Sequence, residues 1–139
     1  MKTFIQYLEE KAEDSRVMQF AAKAHEDWRK TGIPANEKNM PRERSKNGGP
    51  KADINVPFDK LHPTAQQENI AAGHAALAAI KKHPNDIEKA SDHIHKEWMK
   101  RNPKDDFNAA QHVPYKDLPE DEKEKDRDHV RIMSSLKNN

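Results

Sequence analysis

The chain states one order of motifs twice. His25-Glu26-Asp27-Trp28 closes one helical stretch, and Val56-Pro57-Phe58-Asp59-Lys60-Leu61 follows it. His95-Lys96-Glu97-Trp98 closes a second, and Val113-Pro114-Tyr115-Lys116-Asp117-Leu118 follows that. Each half then continues into a helical pattern, over 64–82 in the first and 120–136 in the second. The chain has two Trp, and they fall at equivalent places. Such a repeat predicts two similar units. The expected fold is all-α, a single domain over 1–139 made of helix–loop–helix repeats at 15–82 and 84–137. A pseudo-two-fold axis should relate them, giving Trp28 and Trp98 comparable surroundings.

Local signals fill in this frame. Phe4, Ile5, Leu8 and Ala12 recur at helical spacing, which predicts a short amphipathic helix over 2–13. Ser15 is a candidate cap for a second helix carrying Val17, Met18, Ala21 and Trp28, ended by Gly32 and Pro34. Residues 33–55 hold Pro34, Pro41, Gly48, Gly49 and Pro50 and few apolar residues, so they read as a long mobile loop. Thr64-Ala65-Gln66-Gln67 fits a capping box for the next helix. That helix is Ala-rich, which implies close packing against a neighbour. Asn85-Asp86-Ile87-Glu88 caps a further helix to about residue 100, and a second loop covers 101–112. The last helix presents Val130, Ile132, Met133 and Leu136 on its apolar face. No strand is expected.

Composition removes several classes of function. At 33% hydrophobic and 35% charged residues the core is thin and the surface heavily charged. A net charge of +1 argues against a DNA or RNA binder. With no cysteine, disulfides, thiol catalysis and thiolate metal sites are excluded. No apolar run approaches the roughly 18 residues that span a bilayer. The N-terminus reaches Glu9-Glu10 without a signal-peptide core, so a cytoplasmic location is expected. His93 and His95 are two apart, the wrong spacing for one helical face, and H-E-x-x-H is missing, so no metal is expected. Neither a G-x-S-x-G nucleophile elbow nor a phosphate-binding glycine loop is present. The paired carboxylates lie on charged faces with nothing apolar to raise their pKa. Neither an enzyme nor a cofactor is expected.

The second half, His95 and Trp98 followed by Val113-Pro114-Tyr115-Lys116-Asp117-Leu118-Pro119-Glu120-Asp121-Glu122-Lys123-Glu124-Lys125-Asp126-Arg127, resembles the ryanodine receptor (RyR) domain family. That family pairs a helix ending in H-x-x-W with V-P-Y-x-x-L-x-x-x-E-K-x-x-D-R. The first half matches at His25, Trp28, Val56-Pro57-Phe58 and Leu61, with Gln66 in place of Lys123 and Asn69-Ile70 in place of Asp126-Arg127. The resemblance covers residues 15–136. Neither loop carries the G-W-x-Y-G stretch usual in the family, so the roles of those residues do not transfer. The resemblance implies a helical pair of repeats with its H-x-x-W tryptophans lining a cleft between them. It implies non-catalytic binding of an adenine nucleotide or nucleotide second messenger. It further implies a sensor or a phage anti-defence sponge, in the host cytoplasm if phage-encoded.

The residues themselves leave two readings open at each candidate position. Trp28 and Trp98 are core residues, or they stack a base for about 1–3 kcal/mol each. His25 and His95, one helical turn from each Trp, either hydrogen-bond a backbone carbonyl or touch ligand. Phe58 and Tyr115 anchor loops or line the site. Arg42 and Arg44, with Lys46 and Lys51, are a solvated charge run or a phosphate clamp. Arg29, Lys30, Lys100 and Arg101 adjoin the Trp residues and are candidate rim cations. Asp126 and Arg127 pair with each other or buttress the fold. The rival to a nucleotide site is a protein-interaction module whose cleft takes a partner's aromatic side chain. The oligomeric state is not legible.

Overall fold

Residues Phe4–Thr31 form one unbroken helix, α1, in the computed structural model, which describes residues 1–46 and 48–136. The expected break before Ser15 is absent. Thr3 starts the helix with a capping box, accepting from the Gln6 N–H at 3.0 Å while Gln6 Oε1 accepts from the Thr3 N–H at 2.8 Å. Nothing over 13–16 forces a stop, and extending a helix costs far less than nucleating a new one. Ser15 instead sits inside the helix, where Gln19 Nε2 bonds its hydroxyl at 3.3 Å. The helix buries Val17, Phe20, Ala21 and His25, one stripe of its second half. Phe4, Ile5 and Leu8 remain exposed at its start.

Three further α-helices follow among the described residues: α2 at Pro63–Lys82, α3 at Ile87–Arg101 and α4 at Glu120–Ser135. The fold is thus mostly helical, as expected, with one addition. Glu43–Ser45 (β1) and Lys51–Asp53 (β2) form a small antiparallel hairpin, with Arg44 opposite Ala52. Gly48 supplies the positive φ of its turn, 74°. The sequence gives no strand signal here because β1 is exposed on both faces, so alternation has nothing to bury.

The start of α2 also differs from expectation. Pro63 is the first helical residue, which suits its fixed φ and missing N–H. Thr64 therefore lies inside the first turn, and its N–H bonds His62 Nδ1 at 3.2 Å. Gln66 turns away to donate to the Phe58 carbonyl at 3.0 Å. Gly73 explains the close packing implied by the Ala-rich sequence. A Cβ there would stand 2.9 Å from Val17 Cγ1 and 3.2 Å from Phe20 Cδ1, so α1 and α2 cross where no side chain fits. Asp86 caps α3 as expected, accepting from the Lys89 N–H at 3.0 Å.

The chain divides into two compact units, Met1–Gly73 joined by Leu136, and His74–Ser135. In the first, Ile54, Leu61 and Ala65 form a small core flanked by Trp28, Val56 and Phe58. In the second, α3 packs along α4, burying Ala90, Ile94, Val130 and Met133.

An arginine clamp fastens the second unit. Arg127 Nε and Nη2 meet the two oxygens of Glu88 at 2.9 and 2.7 Å, while its Nη1 reaches Glu120 at 2.9 Å. Tyr115 O–H donates to the same Glu88 at 3.0 Å. The guanidinium holds the Glu88 carboxyl well below the usual range, at about 2. Arg127 therefore pairs with Glu88 and not with Asp126, since adjacent helical residues do not face each other.

Candidate functional site

Each V-P-aromatic-x-x-L segment folds into the same local device. Pro57 and Pro114 hold extended backbone, at φ −55° and −54°. One 3-10 turn follows each, over Phe58–Lys60 and Tyr115–Asp117. The turn closes with the Leu N–H on the aromatic residue's carbonyl, at 3.1 Å in both cases. Leu61 and Leu118 are thereby swung into the interior. The carbonyl before each Pro is claimed by a His: Nε2–H of His25 donates to Val56 O at 2.6 Å, and that of His95 to Val113 O at 2.7 Å. A carbonyl only accepts, so Nε2 carries a proton in each ring. This is the backbone role open to both His in the sequence. Burial pushes the His25 imidazole below its ordinary value, which keeps it neutral. Each His stacks on the Trp one turn later, with ring centroids 5.6 Å apart for His25–Trp28 and 5.7 Å for His95–Trp98.

In the first unit this device forms the wall of a pocket of about 300 Å³. His25, Trp28, Leu61 and Asn69 line it on one side, and Arg42, Arg44 and Lys46 line it from the hairpin, with Glu68 as the carboxylate among its lining residues. Asn55 positions that hairpin. Its amide donates to the carbonyls of Lys38 and Met40 at 2.8 and 2.9 Å, and its oxygen accepts from Arg29 Nε at 3.2 Å. Asp53 adds two bonds, from the backbone N–H of Arg42 and of Asn55 at 2.8 and 2.9 Å. Arg29 is thus engaged with Asn55 and with Glu26 at 2.9 Å, and does not line the pocket. Lys30 is exposed, and its carbonyl accepts from Lys38 Nζ. Phe58 packs on the small core.

In the second unit a cavity of about 380 Å³ has His95, Trp98, Leu118 and Asp126 in its lining, with Glu122, Lys125 and His129 beside them. Burial first, then the nearby Glu122, pushes the Asp126 carboxyl up to about 7. Burial, with the charge of Arg101 second, lowers His129 to about 4. His112 lies tilted against Trp98, ring centroids 6.0 Å apart. Tyr115 is buried and spent on Glu88, and Lys100 pairs with Glu97 at 3.1 Å on the surface. Neither Lys100 nor Arg101 lines this cavity.

The two linings correspond position by position. Four, seven and eight residues beyond Leu61 stand Ala65, Glu68 and Asn69; beyond Leu118 they are Glu122, Lys125 and Asp126. The shared parts are His, Trp and Leu, and the variable parts set the charge. Three cations against one carboxylate surround the first pocket, and one cation against two carboxyl groups surrounds the second. The roles of Asn69, Asp126 and Asn55 are not legible as motif matches, although the differing 69/126 pair is visible once the halves are aligned.

In comparisons with known proteins, no family model matches the chain, nor does any curated protein or solved structure.

Proposed function

We propose that the first unit binds a nucleotide without covalent chemistry, its base against Trp28 and its phosphate on Arg42, Arg44 and Lys46. One observation carries the reading: an indole and three cations of one hairpin line the same small pocket. Aromatic stacking is worth about 1–3 kcal/mol per base and discriminates little between bases. Guanidinium groups add bidentate, charge-assisted bonds to phosphate oxygens. Asn69 offers a donor and an acceptor side by side, the pattern that reads a purine edge. The repeated motif, closed by matching hydrogen bonds in each half, supports reading the chain as a tandem repeat of one unit. The RyR resemblance points to the same ligand class and to a role in sensing or sequestering a nucleotide signal.

The experiment uses the Trp98→Phe variant, in which Trp28 is the only indole. Titration with adenosine and guanosine monophosphates should quench its fluorescence saturably, and the nucleosides should bind at least tenfold more weakly. Arg42→Ala and Arg44→Ala should each weaken nucleotide binding and flatten its dependence on salt. Equal affinity for nucleotide and nucleoside, or no quenching, would overturn the reading.

A further inference from the structure

Helix α1 carries two apolar stripes on opposite sides. Val17, Phe20 and Ala21 are buried in its second half, where Val17 and Phe20 meet α2 at Gly73. In its first half Phe4, Ile5 and Leu8 are 73%, 67% and 49% exposed. Leu8 precedes Val17 by nine residues (17 − 8), about two and a half turns at 3.6 residues per turn, so the two side chains leave the helix in opposite directions. The outer stripe is therefore not a continuation of the core, and its own unit cannot cover it. The helix start is well formed all the same, because the capping box of Thr3 and Gln6 fixes it. Three large apolar side chains held together on one helical face, in a segment where residues 1–11 are all exposed, mark an interaction surface.

We propose that this stripe pairs with the same stripe of a second copy of the chain, the two helices running antiparallel about a two-fold axis. The charges of the segment choose the occupant and the direction. Lys2, Glu9 and Glu13 are seven and eleven residues apart (9 − 2 and 13 − 2), which sets them within about 20° of each other on one edge of the stripe. A two-fold axis between antiparallel helices brings like edges together, each contact occurring twice. With Phe4 of one copy against Leu8 of the other, Lys2 of each comes beside Glu9 of the other. Lys2 already meets Glu10 of its own copy at 2.6 Å, but both side chains are largely exposed, and an ammonium has three donors. A parallel pair would instead set the two acidic runs, Glu9, Glu10, Glu13 and Asp14, at one height, where they repel. The same run disfavours an anionic membrane surface, since Lys2 and Lys11 stand against four carboxylates over residues 1–14.

The test is sedimentation equilibrium of the full chain from about 10 µM to about 1 mM, the range suited to a contact smaller than the ~800 Å² per partner of a standard interface. Monomer and dimer should be the species present, in a balance that shifts with concentration. Leu8→Glu, at an exposed position, should weaken dimerisation at least tenfold and leave the melting of the dilute chain unchanged. Lys2→Glu should weaken it several-fold. Adding Glu9→Lys to Lys2→Glu should restore it, because the exchanged charges face each other across the antiparallel pair. The outer stripe holds no residue of the first pocket, so the outcome is separate from that of the nucleotide titration. A monomer at every concentration, whether or not it binds phosphatidylcholine vesicles, overturns the proposal. So does a dimer indifferent to Leu8→Glu, or a double variant that associates no more tightly than Lys2→Glu alone.

Discussion

Replacing Asp126 by Asn should change how stability depends on pH, and the sign can be worked from two buried groups. In the fold Asp126 titrates at about 7 against an ordinary 3.8, and His129 at about 4 against an ordinary 6.5. The folded Asp126 binds a proton that the unfolded chain has released. Its contribution is therefore favourable at low pH and is lost as pH rises from about 4 to about 7. At 1.36 kcal/mol per pK unit this amounts to ~4 kcal/mol. His129 acts oppositely. The fold excludes a proton that the unfolded chain holds, so stability is lost as pH falls from about 6.5 to about 4, by ~3 kcal/mol. Between those limits the folded pair is a neutral acid and a neutral imidazole, the unfolded pair an anion and a cation. Each state holds one proton, and the two slopes cancel. Asp126→Asn removes one of them. Urea unfolding of parent and variant at pH 4.5, 5.5, 6.5 and 8 isolates the effect, because the difference between them cancels every other titrating group. The variant should gain on the parent as pH rises to about 7, by ~3 kcal/mol across the series. A difference that is constant with pH would refute the buried-acid account.

Three further substitutions probe the scaffold. Arg127→Ala breaks the two-pronged bond to Glu88 and the contact with Glu120, and should lower the melting temperature, read by thermal melting. Lys at the same position should recover less than half, because a single ammonium cannot fork to both Glu88 oxygens. Asn55→Ala removes three hydrogen bonds that hold the hairpin, so the amides of β1 and β2 should exchange faster with α3 and α4 unchanged. Gly32→Ala would bring a Cβ to 2.4 Å from Trp28 Cδ1. The indole must then move, and nucleotide affinity in the Trp98→Phe background should fall several-fold, read by fluorescence titration.

The helices were largely legible because their signals are local. Asp86 capping, the Gly32 stop after α1 and the apolar stripe of α4 all depend on residues within a turn or two of each other. The V-P turns were legible for the same reason: Pro sets the backbone and the Leu follows at fixed spacing. The continuous α1 was missed because Ser15 is a good cap only where the preceding chain has left the helix. The Thr64 box does not form because the helix opens at Pro63 and His62 Nδ1 accepts the Thr64 N–H. The hairpin was missed because its support comes from Asn55 and Asp53, polar residues acting across a loop. At the site, the His–Trp pairs and the loop cations Arg42 and Arg44 were read from motif and charge. Arg29 and Tyr115 carry plausible ligand chemistry in sequence, but the fold spends it on Asn55 and Glu88. Which of several cations lines a pocket depends on distant partners, and no local pattern records that. The split character of the two pockets rests on one pair, Asn69 and Asp126, whose meaning appears only when His25 and His95 are seen to hold the same carbonyl.

The central claim, an indole and a cationic hairpin serving one ligand, is tested most directly by nitrogen-15 NMR of the unmodified chain. Adenosine or guanosine monophosphate is titrated while the two indole N–H signals and the amides of Arg42, Arg44 and Lys46 are followed. The account predicts that the Trp28 indole and the hairpin amides shift together, with one common dissociation constant, and that the Trp98 indole stays in place. If the hairpin amides move without the Trp28 indole, or neither responds, stacking and phosphate binding do not share a site and the account is contradicted.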